Sequence, residues 1–446
     1  MEALRDAVAE PPQVAWVDGF IRRVRPYVFV REEDLVLIKR PNQAQKLNAA
    51  GAAILKSLLD GKGIGRVLDE AGREPERVHD VVLFLYEVRR FLEGTLHEGN
   101  ASHAVEVRPL GLGFSALPIL SEVALTYRCN LRCAFCYAGC NCTANPTGSD
   151  REMPEAELRR VLESIRLDAK VPSVSFTGGE AALRPELPAL VRFAKGLGMY
   201  VNLVTNGTLV TPALASRLAD AGLDSAQVSL EGVTAPVHEG GTRVPGSFGR
   251  TLRGVESFRA AGIRVHTHST IHRGNLEECR RMPRFVRDVL GLPKFSMNMI
   301  IPTGSAALDG RLLVRYVEIG PVLEEILGES RRCGVEFMWY SPTPLCLFNP
   351  VAHGLGNRGC GACDGLLSVG ANGDVLPCAS CDDPVGNLLE RPVREIWSSE
   401  KARRYREKSW ALPGCRACEN FALCHGGCPL YWRHAGFGEL EAREGR

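Results

Sequence analysis

The sixteen cysteines of this 446-residue chain are grouped, and the grouping constrains the fold more than any other feature of the sequence. All but Cys279 and Cys333 lie either between residues 129 and 142 or between residues 346 and 428. Residues 1–11 are mixed and charged and lack the apolar run of a secretory signal, so disulfides formed in an oxidising compartment are not expected. Cysteine groups in a reducing compartment are typical of metal sites. The sequence therefore predicts two metal-binding regions in a soluble, cytoplasmic protein.

Composition and charge exclude several other classes of protein. Hydrophobic residues make up 45% and charged residues 24% of the chain, as in ordinary globular proteins. The net charge is only +2, so no strong field attracts nucleic acid or an anionic membrane surface. No apolar stretch approaches the roughly 20 residues that a membrane span needs. Neither a nucleic acid nor a membrane is expected as a partner.

Strand-like and helix-like segments alternate from residue 121 onward, which is typical of βα units around a parallel sheet. The predicted strands cover residues 122–126, 173–176, 200–204, 227–230, 264–270 and 295–300. The predicted helices cover residues 154–167, 186–197, 212–221, 248–261 and 277–290, and Pro283 is expected to kink or restart the last of them. Six such strands predict an α/β fold, a partial (β/α)6 barrel over residues 119–310, with its chemistry at the carboxyl ends of the strands.

The remaining regions predict three smaller units. Apolar extended segments at residues 27–30 and 35–38 precede helix-like patterns at 49–59, 64–71 and 77–91, which suits a winged-helix-like domain over residues 1–95. Residues 96–118 are expected to be a linker, and residues 311–340 a bridging helix and strand. Residues 341–446 are rich in Cys, Gly and Pro, as in a region that metal rather than a large core holds together.

The first cysteine motif directly follows the first predicted barrel strand. Cys129, Cys133 and Cys136 have three and then two intervening residues, so their thiolates can hold three corners of a cubane iron–sulfur cluster and leave the fourth iron open. A zinc site is the alternative on spacing alone. With an aromatic residue before its last cysteine, the motif resembles that of the radical S-adenosylmethionine (SAM) superfamily. The resemblance implies that the open iron of a [4Fe–4S] cluster binds SAM, whose reductive cleavage gives a 5′-deoxyadenosyl radical.

Further segments at predicted strand ends strengthen the resemblance. The Gly-Gly-Glu segment at residues 178–180 resembles the family's segment that meets the methionine group of SAM, and residues 204–208 and 228–232 resemble segments that line the cofactor pocket. Glu231 stands where the family usually has Asp. The resemblance implies a cofactor-binding set of Tyr137, Gly178, Gly179, Glu180, Thr205, Asn206 and Ser229.

The second cysteine region resembles the SPASM extension, which binds two auxiliary iron–sulfur clusters, expected to be [4Fe–4S], in enzymes that mature peptides and proteins. By position, the resemblance assigns Cys346, Cys360, Cys378 and Cys428 to the first auxiliary cluster and Cys415, Cys418 and Cys424 to the second. The family adds a last cysteine further on, which this sequence lacks after Cys428, so Cys363 or Cys381 could supply an additional ligand, or the second cluster keeps an open iron or a non-thiolate ligand. A zinc ribbon of Cys360, Cys363, Cys378 and Cys381 is the alternative.

Residues 26–92 resemble the PqqD-like peptide recognition element, in which a leader peptide adds as an extra strand to a sheet edge. Taken with the other resemblances, this implies a radical SAM oxidoreductase that modifies a ribosomally made peptide by hydrogen abstraction, giving a crosslink or an oxidation. A one-electron donor such as ferredoxin or flavodoxin is then a second partner. The alternatives are a radical SAM enzyme for a small molecule, tetrapyrrole or metalloenzyme cofactor, and a zinc-binding DNA regulator.

The catalytic acid or base is not predicted by the sequence. His266 and His268 alternate on one predicted strand and share a face, which is either the barrel interior or an outward, packed face. Glu231, Asn298 and Tyr340 lie at or near other strand ends. Cys140 and Cys142 follow the first motif and are expected to be loop cysteines that do not bind metal, whereas Cys279 and Cys333 are expected to be small buried apolar residues.

Overall fold

The computed structural model describes residues 12–41, 43–93, 114–140 and 151–444, and the chain divides into two compact units, Met1–Ile119 and Leu120–Arg446. In the first unit the helices are α1 (Val17–Val24), α2 (Ala49–Leu59), α3 (Ile64–Ala71) and α4 (Pro75–Glu93), and the strands are β1 (Val28–Arg31), β2 (Val36–Lys39) and β3 (Gln43–Lys46). The three strands form one antiparallel sheet in the order β1-β2-β3.

Strand β2 separates the two faces of this small sheet. Leu37 packs with the apolar side chains of the helices, whereas Val36 and Ile38 point to the opposite face, where they pack with Ile119. Helix α2 begins at an ordinary N-cap residue, because the side chain of Asn48 accepts a hydrogen bond from the Gly51 N–H at 2.7 Å. Strand β3, with its polar sequence Gln-Ala-Gln-Lys, is an edge strand that the apolar patterning did not reveal.

A buried arginine holds the end of the first unit in place. Arg31 is 1% exposed, pairs with Asp34 at 2.8 Å, and donates to the carbonyls of Leu117 and Pro118 at 2.9 and 2.6 Å. Asp34 in turn accepts from the Ala116 N–H at 2.9 Å. Because a buried charge is tolerated only when it is paired and hydrogen-bonded, this arrangement fixes the backbone of residues 116–118 on the small sheet.

The second unit is built on a ten-stranded sheet in the order β10-β9-β8-β7-β6-β5-β4-β11-β12-β13. The eight strands from β10 to β11 in this order pair in parallel, whereas β12 pairs in the antiparallel sense with both β11 and β13. Its strands are β4 (Leu120–Thr126), β5 (Ser173–Gly178), β6 (Tyr200–Thr205), β7 (Ser225–Ser229), β8 (Arg264–Ile271), β9 (Lys294–Met299), β10 (Glu336–Trp339), β11 (Leu366–Val369), β12 (Asp374–Leu376) and β13 (Gly386–Asn387).

Helices connect the parallel strands and pack on one face of the sheet. They are α5 (Glu155–Glu163), α6 (Leu187–Gly196), α7 (Pro212–Asp220), α8 (Ala235–Thr242), α9 (Ser247–Ala260), α10 (Leu276–Asp288) and α11 (Tyr316–Cys333). Shorter helices follow in the cysteine-rich region: α12 (Val393–Ser398), α13 (Glu400–Arg406), α14 (Pro413–Ala417), α15 (Phe421–Cys424), α16 (Pro429–Ala435) and α17 (Gly438–Glu444). Among the described residues, no helix is both long and apolar enough to cross a membrane.

The predicted α/β class and parallel sheet are confirmed, with differences in detail. The sheet contains four strands beyond the six of the predicted barrel. Strand β10 lies in the region where a bridging strand was expected, whereas β11 to β13 were not predicted, because they are only two to four residues long and give little periodic signal. Helix α8 was missed, and α10 runs through Pro283 as one element, so the helix does not restart there, while the kink at Pro283 stays a prediction.

The two faces of the parallel sheet differ in polarity. The side chains that face the helices are apolar and no more than 5% exposed, for example Val123, Phe176, Leu203, Val228 and Val265. Since side chains alternate along a strand, the neighbouring residues point to the other, concave face. That face is polar and carries Glu122, Ser175, Asn202, Gln227, Ser229, His266, His268 and Asn298.

Candidate active site and iron–sulfur sites

The loop with Cys129, Cys133 and Cys136 leaves the carboxyl end of β4 and is fastened to its surroundings by backbone hydrogen bonds. The N–H groups of Arg132 and Ala134 donate to the carbonyls of Thr242 and Gly241, at 3.1 and 2.9 Å, which attaches the loop to the end of α8. The Ser305 N–H donates to the Cys136 carbonyl at 2.9 Å, so the loop after β9 covers it from another side.

Two glycines at the end of β5 allow the cysteine loop to approach closely. A Cβ atom on Gly178 would overlap the carbonyl oxygen of Thr126, and one on Gly179 would overlap that of Arg128. Gly178 also has a φ of +126°, which other residues rarely adopt. The Gly179 N–H donates to the Thr126 carbonyl at 2.8 Å. The atoms that these two glycines leave room for are therefore the backbone of the cysteine loop.

Glu180 ties three segments together beneath this loop. It is fully buried, and its carboxylate accepts from the Ala182 N–H at 2.9 Å, the Thr205 hydroxyl at 2.7 Å and the Asn206 N–H at 2.7 Å. Burial raises the pKa of Glu180, and these three donors act in the opposite direction. The side chain therefore fixes the end of β6 against the end of β5.

Asn206 extends the network to the first cysteine. Its side-chain amide donates to Asn130 Oδ1 at 2.9 Å and lies 4.0 Å from Cys129 Sγ, while its Oδ1 accepts from the Thr208 hydroxyl at 2.6 Å. The Asn130 amide donates back to Thr208 Oγ1 at 2.7 Å. The result is a closed ring of polar side chains beside Cys129, at a position where sequence patterns predicted only Asn206.

The three thiols of the motif are electrostatic neighbours but differ in acidity. Burial raises the pKa of Cys129 to about 11 and raises that of Cys133 well above its usual value. The pKa of Cys136 is lowered to about 6, because the Cys140 thiol and backbone N–H groups donate hydrogen bonds to it. Cys140 is buried and belongs to the site, whereas Cys142 lies outside the described residues.

The thiols fit an iron–sulfur cluster better than a single metal ion. Within the described residues, no three His, Cys, Asp or Glu side chains converge closely enough to hold one ion. A zinc ion would require its thiolates within about 2.3 Å of one point. A cluster places each thiolate on a different iron, so Cys129, Cys133 and Cys136 need not converge on one point to hold it.

The other predicted pocket residues lie around the same end of the barrel. Tyr137 follows Cys136 directly, its carbonyl accepts from the Thr303 hydroxyl at 3.2 Å, and burial raises its pKa. Ser229 ends β7 and lies in register with His268 on β8, so both side chains point to the concave face. Contact of any of these residues with SAM stays a prediction.

The strand register shows which face of β8 carries the two histidines. His266 and His268 lie on the concave face, where His266 Nε2 is 3.2 Å from Gln227 Oε1 and His268 is bracketed by Ser296 Oγ at 2.8 Å and Asn298 Oδ1 at 2.9 Å. Burial lowers the pKa of His266 to about 3 and that of His268 to about 4, so both are neutral at pH 7.

Two carboxylates of the same region were not predicted as functional. Glu122 on β4 accepts from the Ser368 hydroxyl and the Ala379 N–H, and burial raises its pKa. Glu231 is 3% exposed, accepts from the Thr270 N–H at 2.9 Å, and its pKa is raised by burial to about 8. Glu231 is also an electrostatic neighbour of Cys133. The sequence signal for Glu231 was its position at the end of β7, where the family usually has Asp.

The C-terminal cysteines form two groups. The inner group consists of Cys360, Cys363, Cys378, Cys381 and Cys428, which are electrostatic neighbours of one another. The outer group consists of Cys415, Cys418 and Cys424, of which Cys418 and Cys424 are electrostatic neighbours. Cys346 precedes both groups in the sequence and is exposed. The structure thus gathers the predicted auxiliary ligands other than Cys346 in two places, and their binding of clusters stays a prediction.

Family models match both cysteine regions. Residues 123–286 match the radical SAM superfamily and residues 360–419 match an iron–sulfur cluster-binding domain, SPASM. The chain is 30% identical over 333 residues to the PqqA peptide cyclase of Streptomyces rochei, a match that covers 69% of this chain and 83% of the relative. The chain belongs to the radical SAM superfamily. It is an enzyme that uses SAM and iron–sulfur chemistry, and a zinc-binding DNA regulator is not supported.

Two further proteins are similar to this radical SAM enzyme, one in sequence and one in fold. The AdoMet-dependent heme synthase of Methanosarcina barkeri is 28% identical over 333 residues, covering 69% of this chain and 90% of that protein. The crystal structure of Streptococcus suis SuiB bound to precursor peptide SuiA has a TM-score of 0.68 at 17% identity, covering 92% of this chain and 96% of SuiB. At that identity the likeness shows the fold alone. It extends over more of the chain than the second unit occupies.

Proposed function

We propose that this radical SAM enzyme modifies a ribosomally made peptide by hydrogen abstraction, forming a crosslink or an oxidised residue, and that residues 1–95 bind the leader of that peptide. The observation that carries the proposal is the 30% identity to a PqqA peptide cyclase over most of that relative. The fold likeness to SuiB, which extends over 92% of this chain, supports a peptide substrate as well.

In the proposed site, Cys129, Cys133 and Cys136 hold a four-iron cluster. The cluster with SAM would supply the 5′-deoxyadenosyl radical that abstracts hydrogen. Gly178, Gly179 and Glu180 set the position of the cysteine loop, because they bring the backbone of β5 against it. The polar ring next to Cys129 then orients the Asn206 amide toward the thiolate of that cysteine.

The concave face of the sheet is the proposed place of the substrate residue. A neutral His268 whose Nε2–H donates to Asn298 leaves Nδ1 as an acceptor, occupied by the Ser296 hydroxyl. Tyr340, 37% exposed, stacks on His268 with 5.8 Å between ring centroids. Because both ring nitrogens of His268 are hydrogen-bonded and burial keeps its ring neutral, we propose that His268 and Tyr340 position the substrate residue and do not take up its proton.

The leader is proposed to add to the small antiparallel sheet of the first unit. Within the part of the chain that the structure describes, that sheet ends at β1 on one side and at β3 on the other. An edge strand offers unpaired backbone groups, to which an extended peptide can bind. A one-electron donor such as ferredoxin or flavodoxin would serve the iron–sulfur sites, and we place the enzyme in the cytoplasm, where such donors and reduced thiols occur.

A tetrapyrrole substrate is the second candidate, because relatives at 28% identity are named heme synthases. One experiment separates the two. The full-length protein is reconstituted anaerobically with iron and sulfide and incubated with SAM, dithionite and either the short peptides encoded beside its gene or an iron-containing porphyrin, and the products are analysed by mass spectrometry. A mass loss of two hydrogens in one peptide supports the proposal, whereas turnover of only the porphyrin would favour the second candidate.

A further inference from the structure

We infer that Arg358 binds a carboxylate group of the substrate at the concave face of the parallel sheet. The inference rests on the proposed function only for the place of the substrate residue. A peptide carries carboxylates on its Asp and Glu side chains and at its C-terminus, and the propionate groups of a tetrapyrrole are carboxylates as well.

The backbone of Arg358 is held at the carboxyl end of β10. The Tyr340 N–H donates to the Met297 carbonyl at 2.9 Å, which continues the parallel pairing of β10 with β9 by one residue. Since side chains alternate along a strand, the Tyr340 side chain points to the concave face. The Thr343 N–H donates to the Arg358 carbonyl at 3.2 Å, and the Thr343 hydroxyl accepts from the Trp339 indole at 2.9 Å. Residue 358 therefore lies beside the strand end that carries Tyr340.

The side chain of Arg358 extends over the ring of that tyrosine. Its guanidinium carbon lies 5.9 Å from the centre of the Tyr340 ring, within the range of a cation–π contact. Tyr340 in turn stacks on His268, with 5.8 Å between the ring centroids. The guanidinium is therefore next to the two residues that line the proposed place of the substrate.

Arg358 has no anionic partner, unlike the buried arginines Arg31 and Arg184. Arg31 pairs with Asp34 and Arg184 pairs with Glu186, and both arginines also donate to backbone carbonyls. Among the described residues, none accepts a hydrogen bond from the Arg358 side chain, and its Nε is buried without a partner. The side chain as a whole is partly exposed, so a ligand can reach it. Because a charge withdrawn from water is normally paired, this guanidinium favours an anionic group of the substrate.

The surroundings of Arg358 do not supply that negative charge. His268 is neutral at pH 7, because burial lowers its pKa to about 4, and its two hydrogen-bond partners are uncharged. Two carboxylates on strands of the same face are Glu336, at the opposite end of β10, and Glu122 on β4, and neither pairs with Arg358. A planar guanidinium binds a carboxylate through two parallel charge-assisted hydrogen bonds, which gives a carboxylate the advantage over a neutral amide of the same size.

The test measures binding of three small probes to the reconstituted full-length protein. N-acetylglutamate α-amide carries a side-chain carboxylate, its isomer N-acetylglutamine carries a C-terminal carboxylate, and N-acetylglutamine amide carries neither. Saturation-transfer nuclear magnetic resonance measures the affinity of each probe. We expect at least one carboxylate probe to bind about tenfold more tightly than the neutral amide, and Arg358→Gln to remove this preference. Arg217→Gln on the exposed side of α7 is the matched control and should keep it.

The pattern of binding identifies the source of the carboxylate. Preference for the first probe assigns Arg358 to an acidic side chain or a propionate, preference for its isomer assigns it to a C-terminus, and tight binding of both supports recognition of the carboxylate alone. Equal binding of all three probes to the wild-type protein, or a preference that survives in Arg358→Gln, would overturn the inference.

Two controls keep this result separate from folding and from the proposed function. Iron content and the SAM-induced change in the spectrum of the first cluster show whether each variant is folded. Arg358→Met, which keeps much of the aliphatic stem, replaces the glutamine variant where that variant is not folded. Because no turnover is measured, an enzyme that leaves every neighbouring peptide unchanged could still show the preference that depends on Arg358.

Discussion

The first cysteine loop and the outer cysteine segment both carry three closely spaced cysteines, but they are held in different ways. In the loop, Leu131, Ala134, Phe135 and Ala138 are buried, and backbone hydrogen bonds attach it to β5 and α8. In the segment from residue 412 to residue 425, no residue is buried. The loop is therefore positioned by protein packing, whereas the outer segment has little apolar burial to stabilise it.

The difference concerns the order in which the site is assembled. A binding loop that the protein positions by itself can present its thiolates before iron arrives. A segment without buried side chains gains most of its stability from the metal, as structural metal sites in small domains do. Catalytic geometry and auxiliary-cluster geometry should thus respond differently to mutation and to iron removal.

The largest effect is expected for Gly178→Ala. The added Cβ would overlap the Thr126 carbonyl, and the φ of +126° is strained for alanine, so we expect a loss of about 3 kcal/mol or more in unfolding free energy and displacement of the cysteine loop. Chemical denaturation and the iron content of the first cluster measure it. The matched control is Gly196→Ala in α6, where a Cβ meets nothing within 4 Å. Equal behaviour of both variants would contradict protein-based positioning of the loop.

The second-largest effect is expected on iron removal, which should change amide protection differently in the two regions. In the apo protein, backbone amides of residues 412–425 should exchange with deuterium almost without protection, because no buried side chain holds them. Amides of the cysteine loop bonded to α8, such as Ala134, should keep at least part of their protection. Hydrogen–deuterium exchange mass spectrometry of apo and reconstituted protein checks this, and equal loss of protection in both regions would break the comparison.

Glu180→Gln should lower the free energy of unfolding by less, about 1–3 kcal/mol. The NH2 group of the glutamine would face a hydrogen-bond donor of Thr205, Ala182 or Asn206 where the carboxylate oxygen accepts. The loss should also lower the affinity of the first cluster while the auxiliary clusters stay loaded. Denaturation curves and cluster-specific spectra provide the readout. Glu256→Gln on the exposed side of α9 is the control, and a comparable loss there would show that Glu180 has no specific part in holding the cysteine loop.

The smallest effect is expected for the dependence of folding stability on pH below neutrality. The folded pKa of His268 is about 4, below its usual value, so the unfolded chain binds more protons between pH 6.5 and pH 4 and stability falls as the pH drops through that range. In apo protein, His268→Gln should reduce the loss of stability between pH 7 and pH 5 by about 1–2 kcal/mol. Denaturation at the two pH values measures it, with His434→Gln in the short helix α16 as control. An unchanged pH slope would show that His268 does not stay neutral.

The sequence predicted the parts of the fold in which one periodic signal dominates. The six barrel strands and the helices around them follow from alternation, and residues 49–59 and 64–71 were predicted at the bounds of α2 and α3. Strand β3 was missed because Gln43 to Lys46 are polar, as suits an edge strand. Strands β11 to β13 were missed because they are only two to four residues long and give little periodic signal.

The candidate site was predicted in its residue types but not in its contacts. Spacing pointed to Cys129, Cys133 and Cys136, but only tertiary structure brings Cys140 onto Cys136 and Asn130 into the ring with Asn206. Likewise, family resemblance assigns the C-terminal cysteines to clusters, whereas the contact of Leu345 with Cys424 comes from the path of the chain. Long-range pairing of this kind has no local signal in a single sequence.

The most direct measurement is isotope transfer from peptide to cofactor. The reconstituted full-length enzyme is incubated with SAM, dithionite and each neighbouring short peptide, synthesised with deuterium on all carbon positions, and the 5′-deoxyadenosine formed is analysed by mass spectrometry. Hydrogen abstraction from the peptide predicts one deuterium in 5′-deoxyadenosine, together with a modified peptide, and neither product with Cys129→Ala protein. Unlabelled 5′-deoxyadenosine and unchanged peptide in every case would contradict a peptide as the substrate of this radical SAM enzyme.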